Sequence, residues 1–235
     1  MALLGEAPVA LVVGGKGGIG SAIVKELSSK GWDVLTMDIH PEGDDLEIRV
    51  DLSDEAAVVD SFNRFRMRRE RLDGLVFAAG IWRDRISWKL TAEDWDTVQS
   101  VNLRGAFLAT KEATPLLRKS PRGRLLFVGS INGARGKVGQ AAYCASKAGL
   151  EGLMKTLARE LGRDGITSNL LAPGLIATPP TLSLPSEVWE NAEKERLLPQ
   201  AGTPEDVAAM AGFLLSKEGG FITGQVINVD GGQGL

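Results

Sequence analysis

The chain has 235 residues, a formal net charge of −3, 43% hydrophobic and 24% charged side chains, 29 glycines, one cysteine and one histidine. Cys144 alone excludes an internal disulfide, and with His40 it leaves too few parts for a zinc site or a Ser/His/Asp triad. The mildly acidic balance argues against a general nucleic-acid binder, whose affinity comes from neutralising phosphates, and no apolar run approaches the roughly 18 residues of a membrane span.

Residues Met1 to Ala10 lack the basic start and small-residue cleavage site of a secretion signal, so a cytoplasmic location is expected. Neither a repeat, a low-complexity tract nor a linker interrupts the chain, which predicts a single domain over residues 1–235.

Short apolar runs alternate with longer stretches of helical spacing, the pattern of a parallel sheet covered on both faces. In chain order the predicted strands are Val9–Val13, Val34–Asp38, Glu47–Val50, Leu75–Ala79, Arg124–Gly129, Thr167–Leu171 and Gln225–Val229. Predicted helices fall between them at Ile19–Lys30, Glu55–Arg69, Ala92–Arg118, Ala141–Leu161, Ser186–Arg196 and Pro204–Ser216. Thr91 with Asp94 and Thr203 before Pro204 mark helix entries. The connection Ile39–Leu46 is too short for a crossover helix, so either that helix is missing or these two strands join unusually.

After the first strand, Gly14-Gly15-Lys16-Gly17-Gly18-Ile19-Gly20 opens directly into a helix. Such a loop turns tightly and lets a diphosphate approach backbone N–H groups at the positive end of a helix dipole. Asp38 follows Gly20 by eighteen positions at the end of the second strand, where a carboxylate can accept both adenosine ribose hydroxyls, so a dinucleotide site favouring NAD(H) is expected. A 2′-phosphate about 4 Å from Asp38 would be repelled by about 4 kcal/mol per pair of charges at an effective dielectric near 20. Lys16 is the one nearby cation that could offset it, which leaves NADP(H) open.

Tyr143 and Lys147 are four apart at the start of a helix and project from one face. A phenol titrates near 10, and bringing it to about 7 requires roughly 4 kcal/mol of preferential phenolate stabilisation, which a neighbouring ammonium and a cationic nicotinamide could supply. Ser130, thirteen residues before Tyr143 at a strand end, could hydrogen-bond a substrate oxygen.

On these residues the chain resembles the short-chain dehydrogenase/reductase family. Its glycine motif maps to Gly14, Gly18 and Gly20, its adenine-pocket Asp to Asp51 in Val50-Asp51-Leu52, and its Asn-Asn-Ala-Gly motif to Phe77-Ala78-Ala79-Gly80, with neither Asn present. Asn102, Ser130, Tyr143 and Lys147 match its catalytic tetrad, and Pro173-Gly174 with Ile176 and Thr178 its nicotinamide-holding segment.

The resemblance implies a Rossmann-type doubly wound sheet of about seven strands and an oxidoreductase that interconverts a secondary alcohol and a ketone. In it Tyr143 exchanges a proton, Lys147 holds the nicotinamide ribose and depresses the Tyr143 pKa, Ser130 polarises the carbonyl and Asn102 anchors a water relay. It also implies a homotetramer or dimer paired through the apolar helices around Leu103–Leu117 and Leu150–Leu161.

Ala79-Gly80-Ile81, Gly139-Gln140-Ala141-Ala142-Tyr143, Leu157-Ala158-Arg159-Glu160 and Ile222-Thr223-Gly224-Gln225 look like the 3-oxoacyl-acyl-carrier-protein reductases. An acidic carrier partner would then meet Arg124, while Asp164 stands where a second arginine is expected. Substrate contacts are expected from Ser130, Asn132, Val138, Gln140 and Tyr143, and from a lid over 175–198, where Trp189 either closes on substrate or anchors packing. The rival readings are a dehydrogenase of another alcohol and a catalytically silent nucleotide-binding module. The run Arg64, Arg66, Arg68, Arg69, Arg71 scatters around its helix and reads as a solvated face rather than a patch for nucleic acid.

Overall fold

A computed structural model of the chain describes residues 7–41, 43 and 45–235. Its elements are β1 (Val9–Val13), α1 (Gly18–Ser29), β2 (Asp33–Asp38), β3 (Glu47–Arg49), α2 (Glu55–Arg68), β4 (Gly74–Phe77), α3 (Ala92–Gln99), α4 (Gly105–Leu117), β5 (Arg124–Val128), α5 (Ile131–Arg135), α6 (Ala141–Leu161), β6 (Thr167–Pro173), α7 (Pro179–Leu182), α8 (Ser186–Glu195), α9 (Pro204–Leu215) and β7 (Val226–Val229). All seven strands pair in parallel in the order β3-β2-β1-β4-β5-β6-β7.

Period-two alternation divides the buried residues between the sheet's two faces. Val9, Leu11 and Val13 of β1 join Phe62, Phe65, Leu116, Leu150 and Met154 under α2, α4 and α6. Ala10 and Val12 join Ile23, Leu27, Val207, Ala211 and Leu214 under α1 and α9. Each large side chain buried this way contributes about 1.5–3 kcal/mol.

Helix entries carry their own caps. Thr91 Oγ1 accepts the Asp94 N–H at 3.0 Å, and Thr203 and Asp206 cap each other reciprocally with Pro204 in the first turn.

Between β2 and β3 no helix occurs among the described residues, and the strands are direct parallel neighbours from Thr36↔Glu47 to Asp38↔Arg49. Glu42 and Asp44 of this connection lie outside the described residues. Its brevity is workable because β3 has only three residues. The chain must return about 10 Å, well within the roughly 26 Å that eight residues reach.

Several features differ from the sequence expectation. β4 ends at Phe77 rather than Ala79, and β6 runs on to Pro173. A π turn over Ser100–Arg104 interrupts the expected continuous helix from Ala92, and the short helices α5 and α7 were not anticipated. Arg124 is also not the exposed docking arginine expected. It begins β5 at the end of the sheet away from Ser130, is 6% exposed, and donates through Nη1 to the Gly123 carbonyl at 3.0 Å.

The arginine run is largely ion-paired: Arg64 to Asp60, Arg66 to Glu112, Arg69 to Asp33 and Arg71 to Asp73. Among the described residues no helix is long and apolar enough to cross a membrane.

Candidate active site

Strand order reverses direction between β1 and β4, which opens a crevice beyond their carboxyl ends. Gly14 leaves β1 at φ +82° so close to the next segment that a Cβ there would lie 2.5 Å from the Ala79 nitrogen. A Cβ on Gly20 would strike the Gly14 carbonyl. These contacts fold the loop back so that α1 starts at Gly18 with its first N–H groups facing the crevice, without intrahelical partners.

Asp38 ends β2 beside this loop, where its Oδ2 accepts the Lys16 N–H at 3.0 Å and its Oδ1 the His40 N–H at 3.4 Å. The Lys16 ammonium is ion-paired with Glu47. Asp51 is exposed beyond β3, and Ser53 holds its carboxyl below the usual carboxylate range by donating its hydroxyl and N–H at 2.7 and 2.9 Å. Leu52 is buried, close to the Gly105 backbone at the start of α4.

On the far side of the crevice, β5 ends at Val128 and Ser130 caps α5, its Oγ accepting the Asn132 N–H at 3.1 Å. Tyr143, in the first turn of α6, has its hydroxyl beside that of Ser130, which pulls the phenol's pKa down. Lys147 lies one turn further along, its Nζ 5.6 Å from the Tyr143 ring centroid and donating to the Val128 carbonyl at 2.8 Å.

Burial pushes the phenol up to about 12, against the lowering pull of Ser130, and pushes Lys147 down to about 8. In the chain by itself the Tyr143 shift thus runs opposite to the depression expected, because desolvation outweighs the pull of the Ser130 hydroxyl.

Asn102 sits in the π turn, fully buried. Its Oδ1 accepts the Ile81 N–H at 2.8 Å, and its Nδ2 donates to the Ile81 carbonyl and to Ser146 Oγ at 2.9 and 3.0 Å. Both amide hydrogens are therefore committed to holding the segment after β4 against α6.

A cavity of about 290 Å³ lies between the two walls. Gly18, Ile19, Gly20, Gly80, Ser130, Asn132, Gln140, Tyr143, Lys147, Pro173, Gly174, Ile176 and Thr178 line it, so most of the expected site residues converge. Gly14 and Ala79 support it from behind, while Lys16, Asp38 and Asp51 lie along the crevice towards β2 and β3 and do not line the cavity.

Two expected substrate contacts are not brought to it. Val138 is 86% exposed, and Trp189 donates its Nε1 to the Thr181 carbonyl at 3.1 Å, joining α8 to α7. Conversely, Trp82, Asp84, Arg135, Lys137 and Gln233 line the cavity without having been anticipated. Asp84 accepts Gln140 Nε2 at 2.9 Å, and Gln140 Oε1 accepts Asn132 Nδ2 at 3.0 Å. No spacing rule links these residues, which come from separate segments.

Residues 13–233 match the family described as Enoyl-(Acyl carrier protein) reductase. The chain is 36% identical to the 3-oxoacyl-acyl-carrier-protein reductase of Thermotoga maritima, over 97% of this chain and 98% of that one. It is 37% identical to the (3R)-3-hydroxyacyl-CoA dehydrogenase of Rattus norvegicus, over 95% of each, and 36% identical to the acetoacetyl-CoA reductase of Synechocystis, over 96% of each.

The chain belongs to the short-chain dehydrogenase/reductase family. It is an oxidoreductase acting between alcohol and ketone.

Where this short-chain dehydrogenase/reductase departs from its family's Asn-Asn-Ala-Gly motif, the structure shows the replacement. Phe77 is fully buried between Val13 and Phe127 in the strand register, and the Ala78 N–H donates to the Val13 carbonyl at 2.8 Å. Apolar packing thus stands where an amide would be.

Proposed function

We propose that the enzyme reversibly reduces the ketone of a 3-oxoacyl thioester to the corresponding 3-hydroxyacyl thioester, with NAD(H) preferred over NADP(H). The convergence of Ser130, Tyr143 and Lys147 on a cavity walled by the glycine loop carries this reading. The thioester class is supported by the similarity to the Thermotoga, rat and Synechocystis proteins, whose names specify acyl thioester chemistry.

The residues present fit a dinucleotide. The cradle at Gly14 admits no Cβ, and unpartnered N–H groups open α1. Gly18, Ile19 and Gly20 would hold the diphosphate, and Asp38 the adenosine ribose, with Asp51 and Leu52 beside the adenine. Ala79, Gly80 and Lys147 would meet the nicotinamide ribose, and Pro173, Gly174, Ile176 and Thr178 the carboxamide end. When bound, the nicotinamide supplies the hydride to the ketone carbon or takes it from the alcohol.

In reduction, Ser130 Oγ–H and Tyr143 Oη–H both donate to the ketone oxygen. As the carbon gains its hydride, the Tyr143 proton passes to that oxygen, leaving an alcohol and a phenolate. The Lys147 ammonium and the Ser130 hydroxyl stabilise the phenolate until it is reprotonated. Burial that raises the phenol opposes this acid role, so phenolate stabilisation by the Lys147 ammonium has to offset it. Asn102 is a positioning residue that clamps Ile81, and a water relay at this point would use its main-chain carbonyl.

Lys16, paired with Glu47, leaves the Asp38 carboxylate to repel a 2′-phosphate. The assembly this reading expects is a cytoplasmic homotetramer packed through α4 and α6, where Phe107 is half-exposed. An acyl-carrier partner would deliver the thioester to the cavity mouth without using the buried Arg124.

The test is a panel of ketones and alcohols, including acetoacetyl thioester and cyclic ketones, run with both cofactors and with Tyr143→Phe as control. The expected result is NADH-dependent reduction of the acetoacetyl thioester. Undiminished turnover in Tyr143→Phe overturns the mechanism, and tight cofactor binding without any turnover favours the silent nucleotide-binding module.

A further inference from the structure

Gln233, third from the end of the chain, is 6% exposed and engaged through both ends of its carboxamide. Oε1 accepts the Leu175 N–H at 2.9 Å, and Nε2 donates to Glu195 Oε2 at 3.0 Å. Its main-chain carbonyl accepts from Arg135 Nη1 at 3.0 Å, and the same nitrogen reaches Glu195 Oε2 at 2.9 Å. Arg135 Nε then donates to Asn132 Oδ1 at 2.9 Å, two residues beyond Ser130.

The tail is braced from beneath by Asp230, whose carboxylate accepts the Gly232 and Gly234 N–H groups at 3.0 and 2.8 Å. Gln233 also fills the space over Gly174, where a Cβ would lie 2.6 Å from its Oε1. The Gln233 side chain therefore joins the segment after β6 to the last residue of α8, while its main-chain carbonyl ties the C-terminal tail to the end of α5.

An amide buried to this degree is tolerated only while both its ends are bonded. If α8 lifts, Nε2 loses Glu195; if residues 174–175 shift, Oε1 loses Leu175. Each half of the contact therefore favours the other.

We propose that Gln233 is a positioning residue that clamps the lid helix α8 and, through the Leu175 N–H, holds the cavity floor at residues 174–176 in the shape that binds the nicotinamide end of the cofactor. The lid half stands on the contacts alone; the cofactor half rests on the function proposed above.

The test uses the full-length chain. Hydrogen exchange of residues 186–196 is followed without dinucleotide, and NADH affinity is measured separately by fluorescence. In Gln233→Ala, exchange of α8 is expected to quicken about tenfold and NADH to bind about tenfold more weakly, since a hydrogen bond to a charged group is lost. Turnover at saturation is expected to change less, so that KM moves more than kcat.

Gln233→Glu retains the shape but sets a second carboxylate against Glu195. It should open the lid near neutral pH and close it again as the pair gains a proton towards about pH 5. A contact that merely fills space would show no such recovery. Exchange across β7 (Val226–Val229) reports whether either variant has loosened the fold more widely.

Unchanged α8 exchange in Gln233→Ala overturns the clamp, and faster exchange with unaltered NADH affinity overturns the coupling. A wild-type chain that binds neither dinucleotide defeats the reading of the site instead. That outcome is distinguishable because α8 exchange is read with no dinucleotide present.

Discussion

Ser130, Tyr143 and Lys147 project from the ends of β5 and α6, among fully buried Phe127 and Leu150, whereas α7 and α8 on the opposite side of the cavity bury only Ala192 between them. Apolar packing holds the first region. Polar contacts hold the second: Trp189 to Thr181, Arg135 to Glu195 and Gln233 to both Glu195 and Leu175. Proton transfer requires groups held to within about 0.5 Å, which a close-packed core supplies. The proposed lid would have to open for substrate, and contacts worth about 1 kcal/mol each would allow that.

The largest expected effect falls on the packed side. Tyr143→Phe should lower kcat by about a thousandfold, the scale of a positioned general acid, while leaving the thermal midpoint nearly unchanged. Steady-state assays beside a melting curve check both halves. Loss of activity accompanied by loss of fold would remove the distinction between chemistry and packing.

Packing itself is tested by truncation. Phe77→Ala should cost about 3–5 kcal/mol in denaturant unfolding, because the ring fills the core. Leu182→Ala in α7, at a side chain 63% exposed, should cost less than about 0.5 kcal/mol. Comparable costs would mean that lid and floor unfold as one unit.

Tyr143 is the chain's only tyrosine, so ultraviolet absorbance of the phenolate reads this group alone. With its pKa raised from 10.0 to about 12, little phenolate should appear in the cofactor-free chain near pH 10, where an exposed phenol is half ionised. The folded state holds this proton more tightly than the unfolded state, so the group's stabilising contribution is full below pH 10 and is lost as pH rises towards 12. Lys147 has the opposite sign: lowered from 10.5 to about 8, it makes stability rise with pH between those values. Half-ionisation at pH 10 would show that the site is wetter than its burial implies.

The smallest effect lies at the adenosine end of the crevice. Asp38→Ala should narrow the preference for NAD over NADP by about tenfold in kcat/KM, less than an unscreened charge pair gives, because Asp38 is only half-buried. Unchanged discrimination would transfer that role to the Lys16–Glu47 pair.

Local pattern made much of this protein legible from its residues in order. Short apolar runs marked all seven strands, α6 was predicted over Ala141–Leu161 as observed, and Tyr143 and Lys147 fell on one face because a helix repeats every 3.6 residues. The glycine loop was equally readable, since its contacts lie within a few residues of one another or on the adjoining strand.

Folding alone decided what depends on distant neighbours. The burial that raises Tyr143, the π turn that commits Asn102 to Ile81, the burial of Arg124 and the contact of Arg135 with Gln233, 98 residues away, are set by packing between elements. Desolvation and long-range hydrogen bonds depend on which surfaces meet, and no spacing along the chain records that.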